Sequence, residues 1–312
     1  MLIAVDGGGT KTEAVLIDNH GTVCARQLGG ASNPHSMAMD QINQTLQDLI
    51  MPLLAKAAES EEPLCAVFAG LAGAGRETAR APFVALFKSM LGSQVSLRID
   101  SDALNCLSSG IGTGNGIVLI AGTGSSAFAR QNGKMYQVGG WGHLLGDEGS
   151  GYAMGRQALN AVLRAYDGRG QKTELTSLIH DALHANVYDV LPLLYQEGKQ
   201  LIASMAPIVL SCYDDTACHI IAEAAKALNA HIEAAALHLS DDNIPVVLTG
   251  GLFKSKRFTD SLLSLLAHRF TPILPTLPPL YGAAIEAAAD AGVTLDAQRF
   301  AQSYQEIMEA AK

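Results

Sequence analysis

Three short segments place glycines and hydroxyl side chains directly after an apolar run: Asp6-Gly7-Gly8-Gly9-Thr10-Lys11-Thr12, Gly122-Thr123-Gly124-Ser125-Ser126 and Thr249-Gly250-Gly251. Glycine lets backbone N–H groups approach an anion closely and neighbouring hydroxyls add donors, so such loops suit phosphate oxygens. One alone reads as an ordinary turn. Three in one chain point towards the phosphates of a nucleotide. Spelling excludes the common alternatives: a Walker A loop would need glycine where Thr10 precedes Lys11, and the dinucleotide fingerprint fails at Thr12. No G-x-S-x-G nucleophile elbow occurs either.

Carboxylates follow the apolar strand Val95–Ile99, in Asp100-Ser101-Asp102. The end of a strand is where cleft residues of α/β proteins gather, and a carboxylate there can accept the proton of an attacking hydroxyl during phosphoryl transfer. Asp102 and Asp100 are both candidates for that base. Asp102 as a helix N-cap is the structural alternative. The segment Gly139–Ser150 adds Trp141, as a stacking wall or as core, with His143 reading as structural and Glu148 as a residue that orients the loop.

The elements that must position these groups follow from periodicity. Leu2–Val5, Glu13–Asp18 and Thr22–Gln27 read as a meander of three strands, with a turn at Asn19-His20-Gly21. Ile42, Leu46, Leu49, Leu53 and Leu54 mark one amphipathic helix. Strand Leu64–Phe68, helix Glu77–Met90, strand Val95–Ile99 and a helix from Ala103 then alternate, which argues for parallel pairing. A similar series restarts with Ile117–Ala121, Ala127–Arg130, the hairpin turn Asn132-Gly133 and Lys134–Val138. A shift of 115 lays Gly7, Gly9 and Thr10 onto Gly122, Gly124 and Ser125, which suggests an internal repeat. Residues 151–240 read as helical, followed by strand Pro245–Leu248, a helix near Ser255–His268, a short strand around Ile273 and helices Leu280–Ala291 and Ala297–Ala311. The expected division is a first lobe of residues 1–112 with helix 296–312 returning to it, and a second lobe of residues 113–295.

A chain of 312 residues with 48% hydrophobic and 16% charged residues has the material for a sizeable core. Its net charge of −9, without clustered Lys or Arg, lacks the footprint of a nucleic-acid binder. No run is long and apolar enough for a membrane helix, and no signal-peptide core is present, so a cytoplasmic location is expected. Five cysteines without a C-x-x-C pair read as buried free thiols.

The loops match the phosphate-1, phosphate-2 and adenosine pattern of the superfamily that joins actin, heat-shock chaperones and sugar kinases. Within it the chain resembles the N-acetylglucosamine kinases, most specifically along Gly139-Gly140-Trp141-Gly142-His143-Leu144-Leu145-Gly146-Asp147-Glu148-Gly149-Ser150. The resemblance implies an α/β protein of two ribonuclease-H-like lobes, a duplicated βββαβαβα, with ATP and an amino sugar in the cleft between them. It implies phosphate contacts from Gly9, Thr10, Lys11, Thr123 and Gly124, adenosine contacts from Gly250 and Gly251, and a Mg²⁺ supported by Asp6 through water. Asn33, Gly140, Trp141, Gly142 and Asp147 would bind the sugar, with Asp102 touching it as the base.

The reaction so implied is phosphorylation of N-acetylglucosamine to its 6-phosphate, with N-acetylmuramic acid and glucosamine as alternative substrates. A small-molecule partner is expected, without nucleic acid or membrane, and a homodimer is a possible assembly. Two readings of another class share the loops: an ATP-driven activator of a dehydratase, which would need cysteines at a cluster site, and a nucleotide-gated binding module.

Overall fold

The computed structural model describes residues 1–34 and 36–310. It opens with strands β1 (Leu2–Gly7), β2 (Thr12–Ile17) and β3 (Val23–Gly29), then helix α1 (Met39–Ala58), β4 (Ala66–Leu71), α2 (Glu77–Met90), β5 (Ser96–Asp100) and α3 (Asp102–Ile111). The sheet runs β3-β2-β1-β4-β5, with β1, β4 and β5 parallel and the meander antiparallel. Leu2 to Val5 are wholly buried, as a central strand covered on both faces requires. Ile3, Val5, Val67 and Ala69 share a core with Ile42, Leu46, Leu49 and Leu53 of α1 and with Phe83 and Phe87 of α2.

The series then repeats as β6 (Gly116–Ala121), β7 (Ser125–Gln131) and β8 (Lys134–Gly139). Helices α4 (Gly151–Tyr166), α5 (Leu175–Leu183), α6 (Leu191–Ala203), α7 (Ala206–Ser211) and α8 (Asp215–Ala236) separate them from β9 (Ile244–Thr249), α9 (Lys256–Leu263) and β10 (Phe270–Ile273). The second sheet, β8-β7-β6-β9-β10, has the strand order and directions of the first. The internal repeat read from the glycine loops is therefore a repeat of topology. Ser125 and Ser126, expected in the turn, already belong to β7, because Ala121 pairs with Ser125 across a loop of only Gly122–Gly124.

The last helices are α10 (Pro279–Ala291) and α11 (Ala297–Ala310); Ala311 of the expected terminal helix lies outside the described residues. Two compact units result, Met1–Gly114 with Pro275–Lys312, and Asn115–Leu274. The expected boundary at 295 thus moves to Pro275, since α10 packs on α3, β1 and β4 rather than with the second sheet. The cause is local. A Cβ at Gly282 would collide with the Asn105 carbonyl, so only glycine lets α10 lie this close to α3. Arg98 of β5 then fastens α10 through Glu286 at 2.6 Å and Asp290 at 2.8 Å.

Among the described residues the five cysteines form no disulfide, but only Cys212 is buried, while Cys24 and Cys218 are exposed. The expectation of five buried thiols is corrected by their placement on outward faces of β3 and α8. No helix of the described residues is long and apolar enough to cross a membrane.

Candidate active site

In the first unit the candidate groups gather where the parallel strands end. Asp6 pairs across β1 with Glu13 and Gly70, and the loop that follows is closed by Gly8 N–H donating to Lys11 O at 2.9 Å. Ser32 N–H donates to Gly8 O and Ala72 N–H to Gly7 O, so the segments after β3 and β4 clamp the loop from outside. Gly9, Thr10 and Lys11 remain exposed at its tip. Asn33 stands between two glycines: a Cβ at Gly9 would lie 3.7 Å from its Nδ2, and one at Gly73 3.7 Å from its Oδ1. The fold therefore brings Asn33 beside the loop of Gly8–Lys11.

Asp102 is the first residue of α3, yet the cap is Ser101, whose Oγ accepts the Ala103 N–H. The cap reading of Asp102 falls away. Burial raises its carboxyl above the ordinary carboxylate range, opposed by the hydrogen bond from Ser101. Asp100 is committed elsewhere: its Oδ1 accepts Ser101 N–H at 2.7 Å and Arg80 Nη2 at 3.3 Å.

Asp6 is half-buried and receives Asn105 Nδ2 at 2.7 Å. Burial pushes its carboxyl up to about 6; the Asn105 hydrogen bond and Lys11 oppose the rise, and the charges of Asp102 and Glu13 add to it. The negative charges of Asp102 and Glu13 thus add to the proton affinity of Asp6, which a cation beside it would relieve. Among the described residues no group of three or more His, Cys, Asp or Glu could hold a metal by itself. Asp6 is the carboxylate these residues would offer a Mg²⁺, an ion that takes one or two carboxylates and relies on water and phosphate oxygens for the rest.

The second unit carries the other loops. Gly151 and Tyr152, at the start of α4, donate their N–H groups to Gly122 O at 2.8 Å and Thr123 O at 3.1 Å, leaving the Thr123 side exposed. Ser150 caps the helix through Ala153 N–H. Gly250 has φ +110 and a Cβ there would collide with Ala121, whereas Gly251 faces open space and its N–H lies 3.7 Å from where a Gly122 Cβ would be. The Gly122–Gly124 and Gly250–Gly251 loops thus abut.

Between Gly139 and Ser150 the chain turns through positive φ at Gly140, Gly142 and Asp147. Trp141 is 58% exposed, which excludes it from the core. His143 packs edge-on against Tyr152. Asp147 is buried beside Gly124, its Oδ1 accepting Ser125 N–H at 3.4 Å and its Oδ2 Lys199 Nζ at 2.6 Å. Lys199 was not anticipated; the one local signal is Gly198 inside a helical pattern. Asn105 and Tyr304, which hold Asp6 and Glu13, were missed because they lie far from their partners in sequence.

Residues 3–287 match the BadF/BadG/BcrA/BcrD ATPase family. The chain belongs to that family. This BadF/BadG/BcrA/BcrD ATPase family member is similar to the N-acetylmuramic acid/N-acetylglucosamine kinase of Clostridium acetobutylicum, with 36% identity over 263 residues, 81% of this chain and 86% of the relative. The N-acetyl-D-glucosamine kinase of Dictyostelium discoideum is 32% identical over 284 residues, 85% of this chain and 89% of its own. A solved structure from Chromobacterium violaceum, of a protein proposed to be an N-acetylglucosamine kinase, gives a TM-score of 0.70 at 28% identity and covers 90% of this chain and 96% of its own. A glucokinase of the ROK family from Streptomyces griseus, solved with glucose and AMPPNP, shares the fold with a TM-score of 0.54 at 15% identity, covering 92% of this chain and 99% of its own. Use of ATP follows from family membership.

Proposed function

We propose that the chain transfers the γ-phosphoryl group of ATP to a hydroxyl of an amino sugar, with N-acetylglucosamine and its 6-hydroxyl as substrate and position. The observation that carries the reading is Asp102: a half-buried carboxylate with raised proton affinity at a strand end, beside Asp6 and clear of the helix cap. Two curated relatives that this chain covers over more than four-fifths of their length are kinases of N-acetylated amino sugars, which supports the substrate class.

Phosphoryl transfer asks the protein mainly for positioning and charge stabilisation. The exposed Gly9, Thr10, Lys11 and Thr123, with the half-buried Gly124, are assigned to phosphate oxygens, and Gly250 with Gly251 to the adenosine. Asp6 is assigned to Mg²⁺ through water; the bound ion would neutralise charge on the phosphates. Asn33, Gly140, Trp141, Gly142 and Asp147 are assigned to the sugar. Asp102 takes the proton of the attacking hydroxyl.

The activator reading is weaker, because it needs cysteine thiolates next to the glycine pattern and Cys106 sits instead inside α3. A coupled ATP-consumption screen over N-acetylglucosamine, N-acetylmuramic acid and glucosamine, with NMR of the product, tests the proposal. Turnover of the first at the 6-hydroxyl is expected; hydrolysis of ATP that none of the sugars accelerates would refute it.

A further inference from the structure

Lys199 reaches Asp147 from a helix that the site motifs do not include. Its Nζ donates to Asp147 Oδ2 at 2.6 Å, with the aspartate side chain 5% exposed and the lysine 33%. Gly198, at φ +55 and ψ −124, interrupts α6 just before the lysine and redirects the chain. The end of α6 is locked onto α4, since a Cβ at Gly155 would collide with the Ile202 carbonyl. The first turn of α4 is in turn hydrogen-bonded to Gly122 and Thr123. An ammonium is thereby held beside the second phosphate loop, where a Cβ at Gly124 would lie 3.0 Å from both Asp147 oxygens.

We propose that Lys199 is a nucleotide-phosphate ligand that keeps Asp147 in reserve. Without nucleotide the ammonium is neutralised by Asp147. A polyphosphate at Gly124 is a more highly charged anion and competes for the same ammonium, so its arrival transfers Lys199 to a phosphate oxygen and frees Asp147 Oδ2 to accept a sugar hydroxyl. Only hydrogen bonds and ion pairs are exchanged. The second half of this inference rests on the amino-sugar reading; the first half does not.

Calorimetry of the full chain with Mg²⁺·AMPPNP and with N-acetylglucosamine separates the two. Lys199→Met should weaken nucleotide binding roughly tenfold, and Lys199→Arg should recover most of it, because a charge-assisted hydrogen bond is lost and restored. The pair Lys199→Met with Asp147→Asn, which leaves no buried charge unpaired, should show the same nucleotide loss and guards against misfolding. In the unmodified protein AMPPNP should tighten sugar binding by about tenfold, an ordinary coupling between sites. In Lys199→Met the sugar should bind tightly without nucleotide and the coupling should vanish. Nucleotide affinity unchanged in both the single and the double variant would overturn the proposal, even if melting temperature fell. Should the unmodified protein bind AMPPNP but none of the sugars, the amino-sugar reading fails, and the nucleotide comparison alone still decides the role of Lys199.

Discussion

Ser101 caps α3 and at the same time donates its hydroxyl to Asp102, Oγ to Oδ1 at 3.2 Å. Capping, for which Asp102 is also a candidate in the sequence, thus falls to its neighbour.

Asp102→Asn should keep the fold and both ligands while kcat drops by roughly 10²–10⁴-fold, the range for loss of a general base. The cap is untouched and a carboxyl that burial raises is removed, so the melting temperature at pH 7 should not fall. Asp100→Asn is the control: it loses the ion pair with Arg80 but also removes a carboxyl that burial raises above its ordinary value, so stability and turnover should both change little. Steady-state kinetics and thermal melts of both variants decide; a dead Asp100 variant beside a normal Asp102 variant would reverse the assignment.

The raised carboxyl of Asp6 makes stability depend on pH in a defined direction. The folded state holds this proton up to about pH 6, the unfolded state only to about pH 4, so folding takes up a proton between those values. Stability contributed by this group is therefore full below about pH 4 and falls as pH rises through about 6, by up to roughly 3 kcal/mol for a two-unit shift. Asp6→Asn should flatten that part of the profile and stabilise the ligand-free protein at pH 7, while weakening Mg²⁺-dependent nucleotide binding. Melts across pH 4–8 would show it; parallel profiles for the two proteins would contradict it.

Glu13 is buried and accepts Arg26 Nε at 2.6 Å, Tyr304 Oη at 2.7 Å and Lys11 Nζ at 3.2 Å. Its carboxyl lies below the usual range because these donors outweigh burial, and the Tyr304 hydroxyl is pushed up to about 12 by burial and by Glu13. Tyr304→Phe should cost about 1.5–3 kcal/mol in urea denaturation, the size of a hydrogen bond to a charged group. A midpoint unchanged by the substitution would mean that α11 is not anchored through Glu13.

Gly250→Ala puts a Cβ into Ala121 at a backbone angle of φ +110. ATP affinity should fall by tenfold or more with a visible loss of melting temperature, whereas Gly251→Ala, which faces open space, should leave the melting temperature alone. Isothermal titration of both variants checks the contrast.

Local order was legible in the residues themselves. The glycine turns after β1, β6 and β9, the helix Glu77–Met90 and the duplicated meander follow from glycine placement and hydrophobic period, which act over a few residues, although the second turn ends at Gly124 and not at the expected Ser126. Long-range choices were not. Whether Asp102 caps its helix depends on the rotamer of Ser101, and whether α10 joins the first unit depends on Gly282 meeting α3. Asp6 finds Asn105 99 residues away, and Asp147 finds Lys199 52 residues away. Such pairs are selected by burial and close packing once the sheets have formed, because a buried charge must take whatever partner the fold places within reach. The residue types and loops of the site were therefore set by the sequence, and their proton affinities and ion-pair partners by the tertiary structure.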